Sequence, residues 1–173
     1  MMQFGNRGQS LEKMIEVSNQ QYMLKNKAMV QKIPTPVKVL NINSQNGRIK
    51  NGFYEKKSTV DYVGVYNGLA IAYDAKETKV ETRFDLNNVK EHQYNYLWNW
   101  NQNGGLSFLI VYFTNLSEAY LLPFKLLKEY WEKSKNGGRK SIPYDEIAKD
   151  EYKIFSKGYI ILDYISVIDQ IIS

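Results

Sequence analysis

Asn67-Gly68 separates two largely apolar runs, residues 60–66 and 69–76. Asn-Gly readily takes the two left-handed backbone positions of a two-residue type I′ turn, and between such runs it is the strongest short-range hairpin signal. The middle of the chain is thereby committed to antiparallel strands in a fixed register. A two-residue loop pairs Tyr66 with Leu69, and each outward step pairs the next residues, which sets Asp61 opposite Asp74 and Thr59 opposite Lys76. The period of two along a strand then places Asp74 and Lys76 on one face, with Leu69, Ile71 and Tyr73 on the other.

The flanking sequence supplies helices to cover such a sheet. Ser10 can cap a helix predicted over 10–30, whose apolar positions Leu11, Met14, Ile15 and Tyr22 recur mostly at three- and four-residue steps, with Pro34 and Pro36 ending it. Val37, Val39, Leu40 and Ile42 form a β-prone run. Asn46-Gly47 then offers a reversal inside a polar, basic stretch that ends at Lys56-Lys57. Leu86, Val89, Tyr96, Leu97 and Trp100 mark a helix that stops at Asn103-Gly104-Gly105. Residues 106–113 read as a buried strand, 119–122 as its return, and 124–133 as a further helix. Pro143 starts a helical turn through Ile147, and the apolar tract 159–172 is of undecided state. At 173 residues, with no repeat or linker, the chain is expected to be a single domain, 1–173, of the α/β or α+β class.

Composition narrows the chemistry. The chain has no Cys, which excludes thiolate metal sites, a Cys nucleophile and a disulfide framework, and suits a reducing compartment. Its one histidine, His92, lies between Glu91 and Gln93 on a predicted helix, which argues against a Ser-His-Asp hydrolase and a multi-histidine metal centre. Gly104-Gly105 and Gly137-Gly138 lack the pattern of a nucleotide-phosphate loop. No apolar run approaches the roughly 20 residues of a membrane span, and no signal segment opens the chain, so a cytoplasmic protein without membrane contact is expected. A net charge of +5 favours an anionic partner weakly.

Two carboxylates directly opposed in a sheet destabilise it unless something positive lies between them. A divalent cation meets that need, because Mg²⁺ takes oxygen ligands and is commonly held by one or two carboxylates together with substrate phosphate. Lys76, one step along the same face, could orient a water or offset charge in the transition state, so the set reads as phosphodiester hydrolysis. The spacing alone suits equally a solvated sheet face with Lys76 as counter-ion.

Asp61 followed by Asp74-Ala75-Lys76 resembles the D…(D/E)xK signature of restriction-endonuclease-like nucleases. Around it stand Asn6-Arg7-Gly8, Leu11-Glu12, Ile33-Pro34-Thr35-Pro36, Ser58-Thr59-Val60-Asp61-Tyr62, Gly64-Val65-Tyr66, Ala75-Lys76-Glu77-Thr78, Glu91-His92-Gln93 and Gly137-Gly138-Arg139-Lys140-Ser141. In this order they resemble the RecU-type Holliday junction resolvases, from Asn6 to about Asp169. The resemblance implies a restriction-endonuclease-like mixed sheet flanked by helices, with a protruding stalk at about 44–57 and a homodimeric assembly. It implies an Mg²⁺-dependent endonuclease, with Mn²⁺ as a substitute, that makes paired nicks in four-way DNA junctions during recombination and repair. A recombinase is a further candidate partner. Asp61 and Asp74 then stand as metal ligands, Lys76 as the catalytic lysine and Glu12 as a helix carboxylate completing the site. Two departures stand out, since the family usually has Glu at position 74 and commonly Thr at position 60, where this chain has Asp74 and Val60.

Phosphate contacts would fall to Arg7, Arg48, Lys50, Lys56, Lys57, Arg139 and Lys140, with Thr59 and Gln93 near the site. No base-reading motif is present, so branched shape and phosphate positions would guide recognition. Two readings compete with a resolvase. One is a non-catalytic junction-binding or recombinase-regulating protein, for which opposed carboxylates near phosphate would have no use. The other is a restriction-like or repair endonuclease acting on ordinary duplex.

Overall fold

The computed structural model describes residues 10–54 and 59–172. The Asn67-Gly68 hairpin forms as expected: β4 (Tyr62–Tyr66) pairs with β5 (Leu69–Thr78) in the anticipated register, Tyr66 opposite Leu69 and Tyr62 opposite Tyr73. Both turn residues have positive φ, 46° for Asn67 and 77° for Gly68. This hairpin lies within a six-stranded sheet.

The helix over 10–30 is shorter than its apolar spacing suggests. Helix α1 spans Leu11–Leu24, capped by Ser10, and ends where Asn26 takes a left-handed φ of 51°. There the N–H groups of Lys25, Asn26 and Lys27 close back onto the carbonyls of Gln21, Met23 and Tyr22. Asparagine is one of the few residues to tolerate that conformation at a helix end. The freed segment forms β1 (Met29–Lys32), an edge strand antiparallel to β4. Gly64 permits the close pairing, because a Cβ there would overlap the backbone of Met29 and Val30.

Strand β2 (Val37–Ile42) and β3 (Ile49–Tyr54) form a separate two-stranded sheet in which every residue is exposed. It coincides with most of the basic stretch.

After β5 come the short β6 (Arg83–Asp85), a 3₁₀ turn (Leu86–Asn88) and α2 (Glu91–Gln102). The predicted helix thus splits, its first apolar residues lying in the turn. Helix α2 returns the chain so that β7 (Leu106–Phe113) pairs parallel to β5, the only parallel pair of that sheet among the described residues. Parallel neighbours require such a crossover. Then follow β8 (Glu118–Pro123), α3 (Phe124–Lys135), β9 (Ser141–Pro143), α4 (Tyr144–Ile147), β10 (Lys153–Ile154) and α5 (Tyr164–Ile172). The large sheet runs β1-β4-β5-β7-β8-β10, while β6 and β9 pair separately. The architecture is therefore α/β, a central mixed sheet flanked by helices. The apolar tract 159–172 resolves into α5 and the turn before it.

The two sheet faces have different cores. Leu11, Met14, Ile15 and Tyr22 of α1 and Ile165 and Ile168 of α5 pack on Ile71, Tyr73 and Phe108. On the opposite face, Leu97 of α2 and Leu127 of α3 pack on Ala72, Leu109 and Val111. The first layer also buries a polar network. Tyr164 Oη donates to Asn19 Oδ1 at 2.6 Å, Asn19 Nδ2 donates to Tyr73 Oη at 3.3 Å, and Tyr22 Oη donates to Asp163 Oδ1 at 2.8 Å. Buried polar groups are tolerated only with such partners.

Candidate active site

Asp74 and Lys76 project from the face of β5 that carries α2, while Tyr73 beside them anchors the opposite core. Regular pairing stops at Tyr62 and Tyr73. Asp61, one residue beyond, sits in a bend and meets Asp74 through side-chain bonds. Its N–H donates to Asp74 Oδ1 at 2.8 Å, and its own Oδ2 accepts the N–H of Ala75 at 2.9 Å. These two bonds replace the next step of the ladder. Thr59 is therefore not paired across from Lys76, correcting the register extrapolated from the turn: the strand has already bent away, and Ile33 N–H takes the Asp61 carbonyl at 2.8 Å. Val60 tucks into the α2 core.

Asp74 is completely buried. Its Oδ2 has no hydrogen bond of regular geometry but lies 2.8 Å from Lys76 Nζ as an ion pair. Burial pushes the Asp74 carboxyl up to about 6; the Lys76 ammonium pulls it down, and the Asp61 charge raises it further. A carboxylate raised in this way binds its proton more tightly in the folded than in the unfolded chain. The stability associated with that proton is therefore present at acid pH and lost as pH rises through about 6.

Gln93, in the first turn of α2, completes the cluster. Its Oε1 accepts both Lys76 Nζ at 3.2 Å and the Lys90 N–H at 3.0 Å, so one amide tethers the lysine and caps the helix. Lys76 is thus bracketed by Asp74 and Gln93.

Glu12 stands apart from the pair. On the first turn of α1 its carboxylate bonds Lys32 Nζ at 2.7 Å, and the same ammonium lies 3.5 Å from Glu16. The link between the two groups is Tyr62, whose buried hydroxyl has no partner among the described residues. Burial raises the Tyr62 phenol, and the charges of Glu12, Glu16 and Asp61 raise it further. Among the described residues no group of three or more His, Asp or Glu side chains is gathered as metal ligands. Lys32 and Tyr62 were not legible as neighbours of the site. They face each other across β1 and β4, and β1 reads in sequence as the end of a helix.

The pair fits a hard divalent cation of the magnesium kind. It offers oxygen donors only, one of them the buried Asp74 Oδ2 without a hydrogen bond, and leaves most positions to water and phosphate. Arg48 and Lys50 lie exposed on the β2–β3 hairpin. Arg139 and Lys140 lie on the loop before β9, where Arg139 Nε donates to Ser141 Oγ at 2.9 Å. Arg7, Lys56 and Lys57 fall outside the described residues.

Known proteins supply independent evidence. Residues 6–170 match the family model RecU, described as recombination protein U. A protein of Oenococcus oeni named Holliday junction resolvase RecU is 40% identical over 173 residues, covering 98% of this chain and 88% of the relative. One of the same name from Staphylococcus aureus is 40% identical over 174 residues, covering 99% of this chain and 84% of the relative. The match spans the acidic pair, Lys76, Gln93 and both terminal helices, and the chain belongs to the RecU family.

Proposed function

We propose that this chain is an Mg²⁺-dependent endonuclease that resolves four-way DNA junctions by paired nicks. One observation carries the reading: Asp61, Asp74 and Lys76, held together by direct bonds, lie inside a nearly full-length match to relatives named Holliday junction resolvases.

Asp61 and Asp74 would hold the metal, which when bound neutralises phosphate charge and lowers the pKa of a coordinated water. The protein's part is positional. Asp74 cannot turn away, because Asp61 N–H holds its Oδ1, and Asp61 is fixed in turn by Ala75 N–H. Lys76, tethered by Gln93, keeps an ammonium group beside the place where charge develops on the scissile phosphate. Glu12 would join by exchanging its bond to Lys32 for one to a water near the metal. The exposed β2–β3 hairpin would serve as the stalk, with Arg48 and Lys50 near the phosphates of the junction arms. A four-way junction has approximate two-fold symmetry, and matched nicks in two strands call for two sites, one per subunit of a homodimer.

The test offers a four-way junction and a linear duplex of matched sequence to the purified protein, with Mg²⁺ or with EDTA. Symmetric nicks in the junction alone, only with Mg²⁺, and a dimeric mass in solution are expected. Equal cutting of the duplex would favour a general nuclease, and binding without cutting would favour a junction-binding protein.

Mg²⁺ binding itself should depend on pH. Metal requires Asp74 ionised, and the carboxyl of the metal-free protein titrates at about 6. Calorimetry at several pH values is expected to show affinity level above about pH 7 and falling roughly tenfold per unit below about 6, with proton release on binding. Affinity unchanged from pH 7 to 5 would remove Asp74 from the metal site.

A further inference from the structure

The acidic pair lies at one end of a longer strip. Helix α2 runs opposite to β5, so Gln93 stands beside Lys76 at one end and Trp100 beside Ala70 at the other. Ala70, Ala72, Asp74 and Lys76 share one face of the strand. Gln93, Tyr96 and Trp100 recur at i, i+3 and i+7 on one stripe of the helix.

At the far end a cleft of about 320 Å³ is lined by Ala70, Tyr96, Asn99, Trp100, Asn103 and Gly105. Asp74 lies four residue steps along β5 from Ala70, about 13 Å at the rise of a β-strand. That is the length of roughly four nucleotides stacked along one strand.

The cleft is built around two rings. Tyr96 and Trp100 lie 5.8 Å apart at 28°, half-buried at the border of the α2 core. The indole is fixed from two sides. Its Nε1 donates to the Ala70 carbonyl at 3.3 Å, and it packs on Gly105 so closely that any Cβ at that position would overlap it. Among the described residues no Lys, Arg, Asp or Glu lines the cleft. It therefore offers nothing to a phosphate and much to a flat uncharged ring, with the amides of Asn99 and Asn103 at its rim.

We propose that this cleft is a stacking subsite for one unpaired nucleobase of the strand whose backbone crosses Asp61 and Asp74. The inference rests on the nuclease reading and adds a contact to it. Stacking on aromatic rings accepts any base, because every base has a π face. Such a contact would hold an opened junction strand in register without reading its sequence.

The test uses four-way junctions carrying a single 2-aminopurine at successive positions on either side of the nick, bound by the full chain in EDTA. One position some three to five nucleotides from the nick is expected to change fluorescence on binding. The change should vanish in Tyr96→Leu, which keeps bulk without a ring, and persist in Tyr96→Phe. Junction affinity of Tyr96→Leu should fall at least about fivefold. Thermal melting of each variant separates loss of the ring from loss of the fold, and Asn99→Ala, exposed and away from the packing, should weaken the signal without moving the melt. If the wild type nicks junctions in Mg²⁺ but no probe position depends on Tyr96, the subsite alone is wrong. If the wild type neither binds nor nicks junctions, the nuclease reading falls and the subsite falls with it.

Discussion

Asp74→Asn is expected to leave a protein that folds and binds four-way junctions as the wild type does but cuts them at least about 10²-fold more slowly, the scale of losing one preorganised charged group in an active site. The amide preserves the shape of the side chain, and its oxygen can still accept the Asp61 N–H. What disappears is a buried negative charge whose ionised form is disfavoured by burial. Single-turnover cleavage at saturating Mg²⁺, beside a binding titration in EDTA, measures the two quantities separately. Unimpaired cutting would dismiss Asp74 from catalysis. Asp74→Glu is the informative companion, because a side chain one methylene longer must fit a fully buried position beside Lys76.

Tyr73→Ala should produce the largest loss of stability among single changes near the site. The ring is fully buried and stacked between Tyr62 at 4.9 Å and Phe108 at 4.8 Å, and its hydroxyl bonds the Asn19–Tyr164 network. Emptying a buried aromatic position costs roughly 3–5 kcal/mol. At about 2–4 °C per kcal/mol for a domain of this size, the thermal midpoint should fall by roughly 6–20 °C. Tyr73→Phe should cost about 1–2 kcal/mol, since it leaves part of a buried amide unpaired. A midpoint unchanged in Tyr73→Ala would mean that the α1–α5 layer contributes little to the cooperative fold.

Much of the site was legible because it is local. An Asn-Gly turn fixes register over the few residues that separate it from Asp61 and Asp74, and no distant contact is needed to bring them together. The bend at Asp61 was not legible, since it depends on a side chain taking over a backbone bond at Ala75. Gln93 could be placed on the apolar stripe of its helix, whereas its bond to Lys76 depends on how α2 crosses β5. Strand β1 was hidden by apolar residues that continue the helical spacing past Leu24. Asn26 is the one signal that could have exposed it, and the surroundings of Glu12 follow from that strand. The strands β6, β9 and β10, of two or three residues each, are too short to show any period.

The two cores flanking the sheet draw on the chain very differently. Among the described residues the α2–α3 layer takes all its buried residues from 60–147, whereas the other layer joins α1 to α5, with Ser18 receiving the N–H of Leu162 across 144 positions. A chain emerging from the ribosome can therefore close the first layer, and with it Asp61, Asp74 and Lys76, while the second still waits for the segment from Ile154 through α5. Over that interval the β4–β5 hairpin is assembled, but the other face of its sheet, with Ile71, Tyr73 and Phe108, has α1 alone to cover it and lacks α5. Uncovered apolar strands are what aggregation begins from. Docking of α5 thus closes this layer, and the interval between assembly of residues 60–147 and that docking is when this fold is most exposed to misassembly.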